Sequence, residues 1–378
     1  MNKKNINIVI GANYGDEGKG LVTNWLSNQY DENNSIIILN NGGAQRGHTV
    51  ESSNGFKHVF HHFGSTSNKN YISYCSKFFI INPAIWFMET KELNYIPKLY
   101  IDSGCLVSTP FDMLLNQLIE LNRIEKHGSV GVGIWETICR NKIIPLTFDS
   151  SKYKTKNFKK LILNYFTEKI KENKIKEEIK SNLLGNLDLD LLYDKFVEDF
   201  QTMQTLYKQF SILDVYKNFD NIIIENGQGL LLDKDIDKIH STPSNTGIKN
   251  LLNLICKNYD NNINTYYVSR TYLTRHGNGP LFNEMKKEDI SKDIKIDETN
   301  VHNDYQGSIR YGKLDLDNLV KRIENDFKQF NFKNNINFVL THCNEMKNEH
   351  SDQIKFLKDQ NIFSKIFESH DKNKIEEA

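Results

Sequence analysis

The sequence predicts an α/β fold: a mostly parallel wound sheet with helices on both faces and a helical excursion over about 151–219. Three observations lead there. Short β-branched or continuous apolar runs alternate with stretches of helical period, the pattern of βαβ units. Several of these runs have no polar face, as expected of strands covered on both sides. A glycine-rich or polar loop follows each of the clearest strands.

Asn5-Ile6-Asn7-Ile8-Val9-Ile10 feeds Gly11-Ala12-Asn13-Tyr14-Gly15-Asp16-Glu17-Gly18-Lys19-Gly20, after which Leu21, Val22, Trp25 and Leu26 keep a helical period. That reads as strand, glycine loop, helix. Ile36-Ile37-Ile38-Leu39 is a second strand and runs into another glycine loop, Asn40 to Val50. Val59 to Phe63 and Phe78 to Ile81 are strand-like. Asn82-Pro83 opens a helix, Leu99-Tyr100-Ile101 is a short strand, and Thr109-Pro110 caps a helix through Leu121. Gly128 to Thr137 is a third glycine loop. From Ser151 to Phe219 the chain is rich in Lys, Glu and Asn and keeps two apolar helical stripes, so its lysines form a solvated face. The sheet resumes at Ile222-Ile223-Ile224-Glu225, with Asn226-Gly227-Gln228-Gly229 as the loop after it, then at Tyr266-Tyr267-Val268 and Ile336 to Thr341. With no repeat and no Pro/Ser linker, a single domain over 1–378 with a helical insertion is expected.

Lys+Arg and Asp+Glu balance at 48 each, which gives no reason to expect nucleic acid or an acidic membrane surface as a partner. The five cysteines are scattered without a CxxC pair, which argues against a disulfide framework or a zinc site and for a reducing, cytoplasmic setting. The N-terminus goes straight into a strand, leaving no room for a signal peptide, and no apolar run reaches the ~20 residues of a membrane span.

The first loop is a phosphate cradle by its chemistry. Glycines let backbone N–H groups approach an anion, a helix N-terminus adds partial positive charge, and Lys19 adds a full one. It is not a regular Walker A: Asn13 stands where the first glycine belongs and Gly20 where a hydroxyl should be. A generic phosphate loop also has no need for Asp16, whose other reading is a helix N-cap.

Taken together, the loops resemble the adenylosuccinate synthetase family. Gly15 to Gly20 is similar to its phosphate loop, and Gly42-Gly43-Ala44-Gln45-Arg46-Gly47-His48-Thr49-Val50 to its second loop. Glu225 to Asp233, Thr242-Pro243-Ser244-Asn245-Thr246 and Thr274 to Pro280 are similar to further family segments, in family order. The resemblance implies a Mg²⁺-dependent ligase of purine biosynthesis that joins L-aspartate to C6 of IMP at the expense of GTP. It implies Asp16 as the base that removes the N1 proton, Lys19 and His48 as the groups that meet the transferred phosphoryl, and Gln228 as the amide that orients Asp16 and the purine. Asp16 and the Gly47 carbonyl match the magnesium ligands. Gly15, Glu17, Gly18, Gly20, Gln45, Gly47 and Thr49 fall in the nucleotide-binding loops, with Thr242 in a further binding segment. Ser129 and Val130 fall in a shortened monophosphate loop, with Val132 where the family has arginine. Arg140 lies where an arginine reaches across a homodimer to the partner's nucleotide, its other reading being a surface arginine without that role.

Two departures bear on specificity. The aspartate-binding loop is reduced to Asn303 through Asp315, where Arg310 is the arginine left to grip a carboxylate. The guanine-reading aspartate is replaced by Asn344 in Thr341-His342-Cys343-Asn344, which argues for ATP or dATP in place of GTP. These changes resemble those of viral relatives that attach aspartate to dGMP, whereas Asp16 favours IMP. The alternative from another class is a nucleotide-binding protein that kept the fold and lost turnover.

Overall fold

A computed structural model describes residues 3–237, 239–295, 300, 302–330, 333–347 and 349–378. Its organising element is a ten-stranded sheet in the order 208–209, 98–101, 72–75, 35–39, 221–229, 4–11, 261–270, 334–341, 365–368, 376–377. Every pairing is parallel except the last, between Lys365–Glu368 and Glu376–Glu377.

Alternation along the strands builds two cores. Ile36 and Ile38 join Ile6, Ile8, Ile10, Ile222 and Ile224 on one face, while Ile37 and Leu39 join Val9, Val22, Phe60 and Trp86 on the other. Successive side chains of a strand point to opposite faces, so a continuous apolar run is what a doubly covered strand requires. One face is closed by helices Lys19–Ser27, Pro83–Leu93 and Pro110–Asn122, the other by Ile212–Asn218, Leu316–Phe327 and His350–Asp359. Helices Lys156–Glu172 and Leu189–Leu206 join the first core through Phe158, Ile162, Phe166, Phe196, Phe200 and Met203.

The central strand, Lys4–Gly11, lies between Asn221–Gly229 and Asn261–Arg270. From it the sheet is wound outward in both directions, so the carboxyl ends of these three strands meet at the switch point where open α/β sheets hold ligands.

Some expectations are corrected. Phe79–Ile81 pairs with Gly42–Gly43 and Leu106–Val107 in a small separate sheet, and Lys57–Phe60 forms a hairpin with His48–Glu51. Phe79–Ile81 is a strand as expected, and the strand beside Ser35–Leu39 in the main sheet is Ile72–Cys75, whose Ser73, Tyr74 and Cys75 are buried although the run reads as mixed. Lys208–Gln209 and Lys365–Glu368 are strands without a strong sequence pattern. The strand expected to end at Glu225 continues through Gly229, so Gln228 sits in a strand and not in a loop.

Candidate functional site

A cavity of about 500 Å³ opens over the switch point. It gathers Gly15, Asp16, Gly18, Lys19, Gly20, Gly47, His48, Thr49 and Asn344 from the residues expected in the site, together with Arg270, Tyr272, His342, Glu345 and Ser369 to Lys372. Its lining does not include Glu17, Gln45, Ser129, Val130, Arg140, Gln228, Thr242 or Arg310.

The phosphate loop is shaped by two glycines. Gly18, with φ 94°, is the N-cap of the helix beginning at Lys19, so Asp16 is not the cap. A Cβ on Gly20 would lie 2.5 Å from the Thr49 carbonyl, so the position of the missing Walker hydroxyl is where the helix meets the second loop. The Glu17 side chain turns inward, so what this residue can offer a phosphate is its main chain. Its Oε1 accepts from the N–H groups of Asn13 (3.1 Å) and Gly15 (2.6 Å), and Oε2 lies 3.5 Å from Lys19 Nζ. Lys19 is buried and donates to the Gly15 carbonyl at 2.6 Å.

Asp16 stays partly open, with its side chain 27% exposed. Arg270 holds it with a fork, Nη2 to Oδ2 at 2.9 Å and Nε to the main-chain carbonyl at 2.6 Å, and Asn300 donates to Oδ2 at 3.1 Å. Gln228 does not orient it here: the Gln228 carbonyl oxygen accepts from Asn41 at 3.1 Å and Ser244 at 3.4 Å. The Nε2 of Gln228 and the Oε1 of Gln45 are buried without a partner among the described residues. Both amides flank Gly42, where a Cβ would stand 2.7 Å from Gln228 Nε2 and 3.2 Å from Gln45 Nε2. A buried donor and a buried acceptor left open on two amides around one glycine are costly unless a ligand takes them.

His48 is set by a buried carboxylate. Nδ1 lies 2.6 Å from Glu225, and Nε2 lies 3.2 Å from the Gly227 carbonyl. Arg46 donates to the other Glu225 oxygen at 3.0 Å, as does the Ser65 N–H at 3.2 Å. Burial and the Arg46 guanidinium lower the His48 pKa to about 4, against the pull of Glu225. Burial alone would raise Glu225, but Arg46 and His48 outweigh it and hold the carboxyl to about 2. Burial and Arg46 thus disfavour the charged ring, while both of its nitrogens face acceptors.

The third loop is built differently. Ser129 donates to Asn116 at 2.7 Å, and Val130 offers no polar side chain. Arg140 is 1% exposed; its guanidinium is spent on Asp112 (3.0 Å) and on the carbonyls of Ile144 (2.9 Å) and Val107 (2.6 Å). That corrects the expectation of an arginine reaching a partner subunit, and equally the surface reading: every polar arm points into its own chain. Arg310 donates twice to the Gly279 carbonyl, at 3.0 and 2.8 Å, with Nε 3.4 Å from Glu284. Thr242 is held by its main chain to Leu232.

Arg270, Asn300, Glu225 and Arg46 complete the site and were not singled out for it from the sequence. Arg270 carried a usable signal, a basic residue at the carboxyl end of a strand beside the central one; Asn300 carried none.

A wound parallel sheet with a glycine loop, a buried lysine and an arginine-held carboxylate at its switch point defines a phosphate-loop nucleotide-binding protein. The adenylosuccinate synthetase family profile matches residues 8–347, and the chain belongs to that family. It is 29% identical over 296 residues to adenylosuccinate synthetase of Lactobacillus helveticus, covering 74% of this chain and 65% of that one. It is 30% identical over 294 residues to the enzyme of Thermosipho africanus, covering 72% and 65%. These alignments thus span just under two thirds of the relatives' length. Among solved structures, a fully ligated adenylosuccinate synthetase from Plasmodium falciparum superposes with a TM-score of 0.69 at 21% identity, over 89% of this chain and 77% of that one. A cyanophage S-2L succinoaminodeoxyadenylate synthetase bound to dGMP and dATP superposes with a TM-score of 0.68 at 14% identity, over 100% and 96%. At those identities the two structures speak to the fold. No helix among the described residues is long and apolar enough to cross a membrane.

Proposed function

We propose that the chain joins L-aspartate to C6 of IMP through a 6-phosphoryl intermediate, at the expense of a nucleoside triphosphate, giving adenylosuccinate. The observation that carries this is the meeting of Asp16, Lys19 and His48 on one cavity at the switch point. C6 of a 6-oxopurine has a poor leaving group, so O6 must first be phosphorylated. Asp16, gripped by Arg270, takes the N1 proton and pushes electron density onto O6. O6 attacks the γ-phosphorus, the nucleoside diphosphate leaves, and Lys19 offsets the charge that gathers on the transferred oxygens. That negative charge also favours a second proton on His48, which turns a neutral ring into a donor toward the phosphoryl group. The aspartate amine then displaces phosphate from C6. The open donor of Gln228 and acceptor of Gln45 support a purine in contact with them.

A Mg²⁺ ion fits the donor set on the page: the Asp16 carboxylate and the carbonyl of exposed Gly47 are hard oxygen ligands on the same cavity, and such an ion keeps its remaining positions for water and phosphate. When bound, it would neutralise phosphate charge.

A second reading differs in both nucleotides: dGMP as acceptor and ATP or dATP as donor. Asn344 on the cavity lining favours the adenine donor, because an asparagine amide pairs with an adenine edge, whereas a carboxylate suits guanine N1–H and N2–H₂. The cyanophage protein that shares this fold is bound to dGMP and dATP, which makes that pair the one to set against IMP. The test is incubation of the full chain with Mg²⁺, aspartate, each of GTP, ATP and dATP, and each of IMP, dIMP and dGMP, with mass spectrometry for the succino adduct. The productive pair decides between the readings. No adduct in any combination overturns both and leaves a binding protein.

A further inference from the structure

The geometry points to Arg270, Tyr272 and Glu345 as a buried strut that positions Asp16 according to whether the donor-base end of the cavity is occupied. This rests on the reading of Asp16 as the base. Arg270 closes the strand next to the central one and grips Asp16 with two arms, Nη2 to Oδ2 at 2.9 Å and Nε to the carbonyl at 2.6 Å. Its third arm, Nη1, donates to the Tyr272 hydroxyl at 3.2 Å, and that hydroxyl donates its single proton to Glu345 Oε2 at 2.5 Å. Glu345 Oε1 accepts from the Lys295 N–H at 3.5 Å. The polarity is fixed along the chain: carboxylate, guanidinium, phenol, carboxylate. The phenol proton stays on, because burial pushes the Tyr272 pKa well up.

Arg270, Tyr272 and Glu345 are 4%, 2% and 7% exposed, so a broken link has little water to replace it. Glu345 belongs to the short turn Cys343–Glu345, is tied by its N–H to the His342 carbonyl at 3.0 Å, and follows Asn344 at the base end of the cavity. A base seated there bears on the turn, and the turn moves the far end of the strut. Asp16 is at the other end. Binding of donor nucleotide is thus coupled to the placement of the carboxylate that meets the acceptor, and linkage requires the coupling to run both ways. These are positioning residues: their effect reaches the chemistry through Asp16.

The test is binding, so it does not depend on turnover. Titrate the full chain calorimetrically, in Mg²⁺, with non-hydrolysable ATP and GTP analogues, alone and in the presence of saturating IMP or dGMP. Compare wild type with Tyr272→Phe, which removes one hydroxyl and keeps the ring, and with Glu345→Ala, which removes the acceptor at the far end of the strut. In wild type the monophosphate is expected to tighten the triphosphate analogue by about tenfold, within the usual range of coupling. In Tyr272→Phe the gain falls below about twofold, while the analogue alone binds within about threefold of wild type. Should Tyr272→Phe fail to fold, Glu345→Ala carries the same expectation. Full coupling in a folded variant overturns the strut, as does wild type without coupling. Lost coupling in a chain that makes no adduct would uphold the strut and overturn the ligase reading, so the two fail separately.

Discussion

The phosphate loop and the Gly128–Thr137 loop are written alike, glycines followed by a short helix, and the structure puts them to different uses. Gly18 starts the helix Lys19–Ser27 with φ 94°, and Gly133 starts Ile134–Asn141 with φ 75°. The first helix N-terminus faces the cavity. The second is packed on a neighbour: a Cβ on Gly133 would stand 2.5 Å from the Asp112 carbonyl carbon. The charges follow suit. Part-exposed Asp16 and buried Lys19 both lie on the cavity lining, whereas Glu136 and Arg140 are buried away from it. A glycine loop before a helix is a place where backbone can come close to something; what it comes close to is decided by tertiary packing.

The largest effects expected from breaking this contrast lie on the first loop. Asp16→Asn and His48→Asn should each cut adduct formation by about 10³-fold or more, the scale of lost acid–base and phosphoryl-stabilising groups, with melting temperatures near wild type. Full activity in either variant would remove that residue from the mechanism. Arg140→Leu should act on stability: it leaves Asp112 buried without its cation, at about 3 kcal/mol by chemical denaturation, with specific activity of the folded fraction within about threefold of wild type. Unchanged stability with lost activity would return Arg140 to a role in the site.

The smallest effect is a pH dependence at Glu136. Burial raises its pKa to about 7 from 4.5. The folded chain therefore keeps this proton up to about pH 7, while the unfolded chain releases it near 4.5. Its contribution is fully present below pH 4.5 and is lost as pH rises through 7. Glu136→Gln should match wild type at pH 4 and melt higher by about 2 °C at pH 8. A difference that does not change with pH would contradict the assignment.

Much of the layout could be read ahead of the structure because it rests on local pattern. Ile36 to Leu39 has no polar face, as a doubly covered strand requires, and Thr109-Pro110 ahead of a helical apolar stripe is a local capping signal that the capping box of Thr109 with Asp112 bears out. The direction of a side chain is not local. Glu17 stands between two residues of the cavity and points the other way, because two N–H groups and Lys19 satisfy it from behind. Arg270 finds Asp16 across 254 positions of sequence, and spacing gives no sign of that. Glycines on both sides of Gln228 mark a loop in the sequence, yet the strand ladder runs through Gly229. Serine, tyrosine and cysteine make Ile72–Cys75 a weak strand pattern although all three are buried.

The central claim is that O6 of the purine becomes the nucleophile. Supplying the acceptor labelled with ¹⁸O at C6, with the productive triphosphate and aspartate, follows that oxygen directly. The account predicts one ¹⁸O in the inorganic phosphate released for each succino adduct formed. Phosphate without label, at an adduct yield equal to that with unlabelled acceptor, would contradict it.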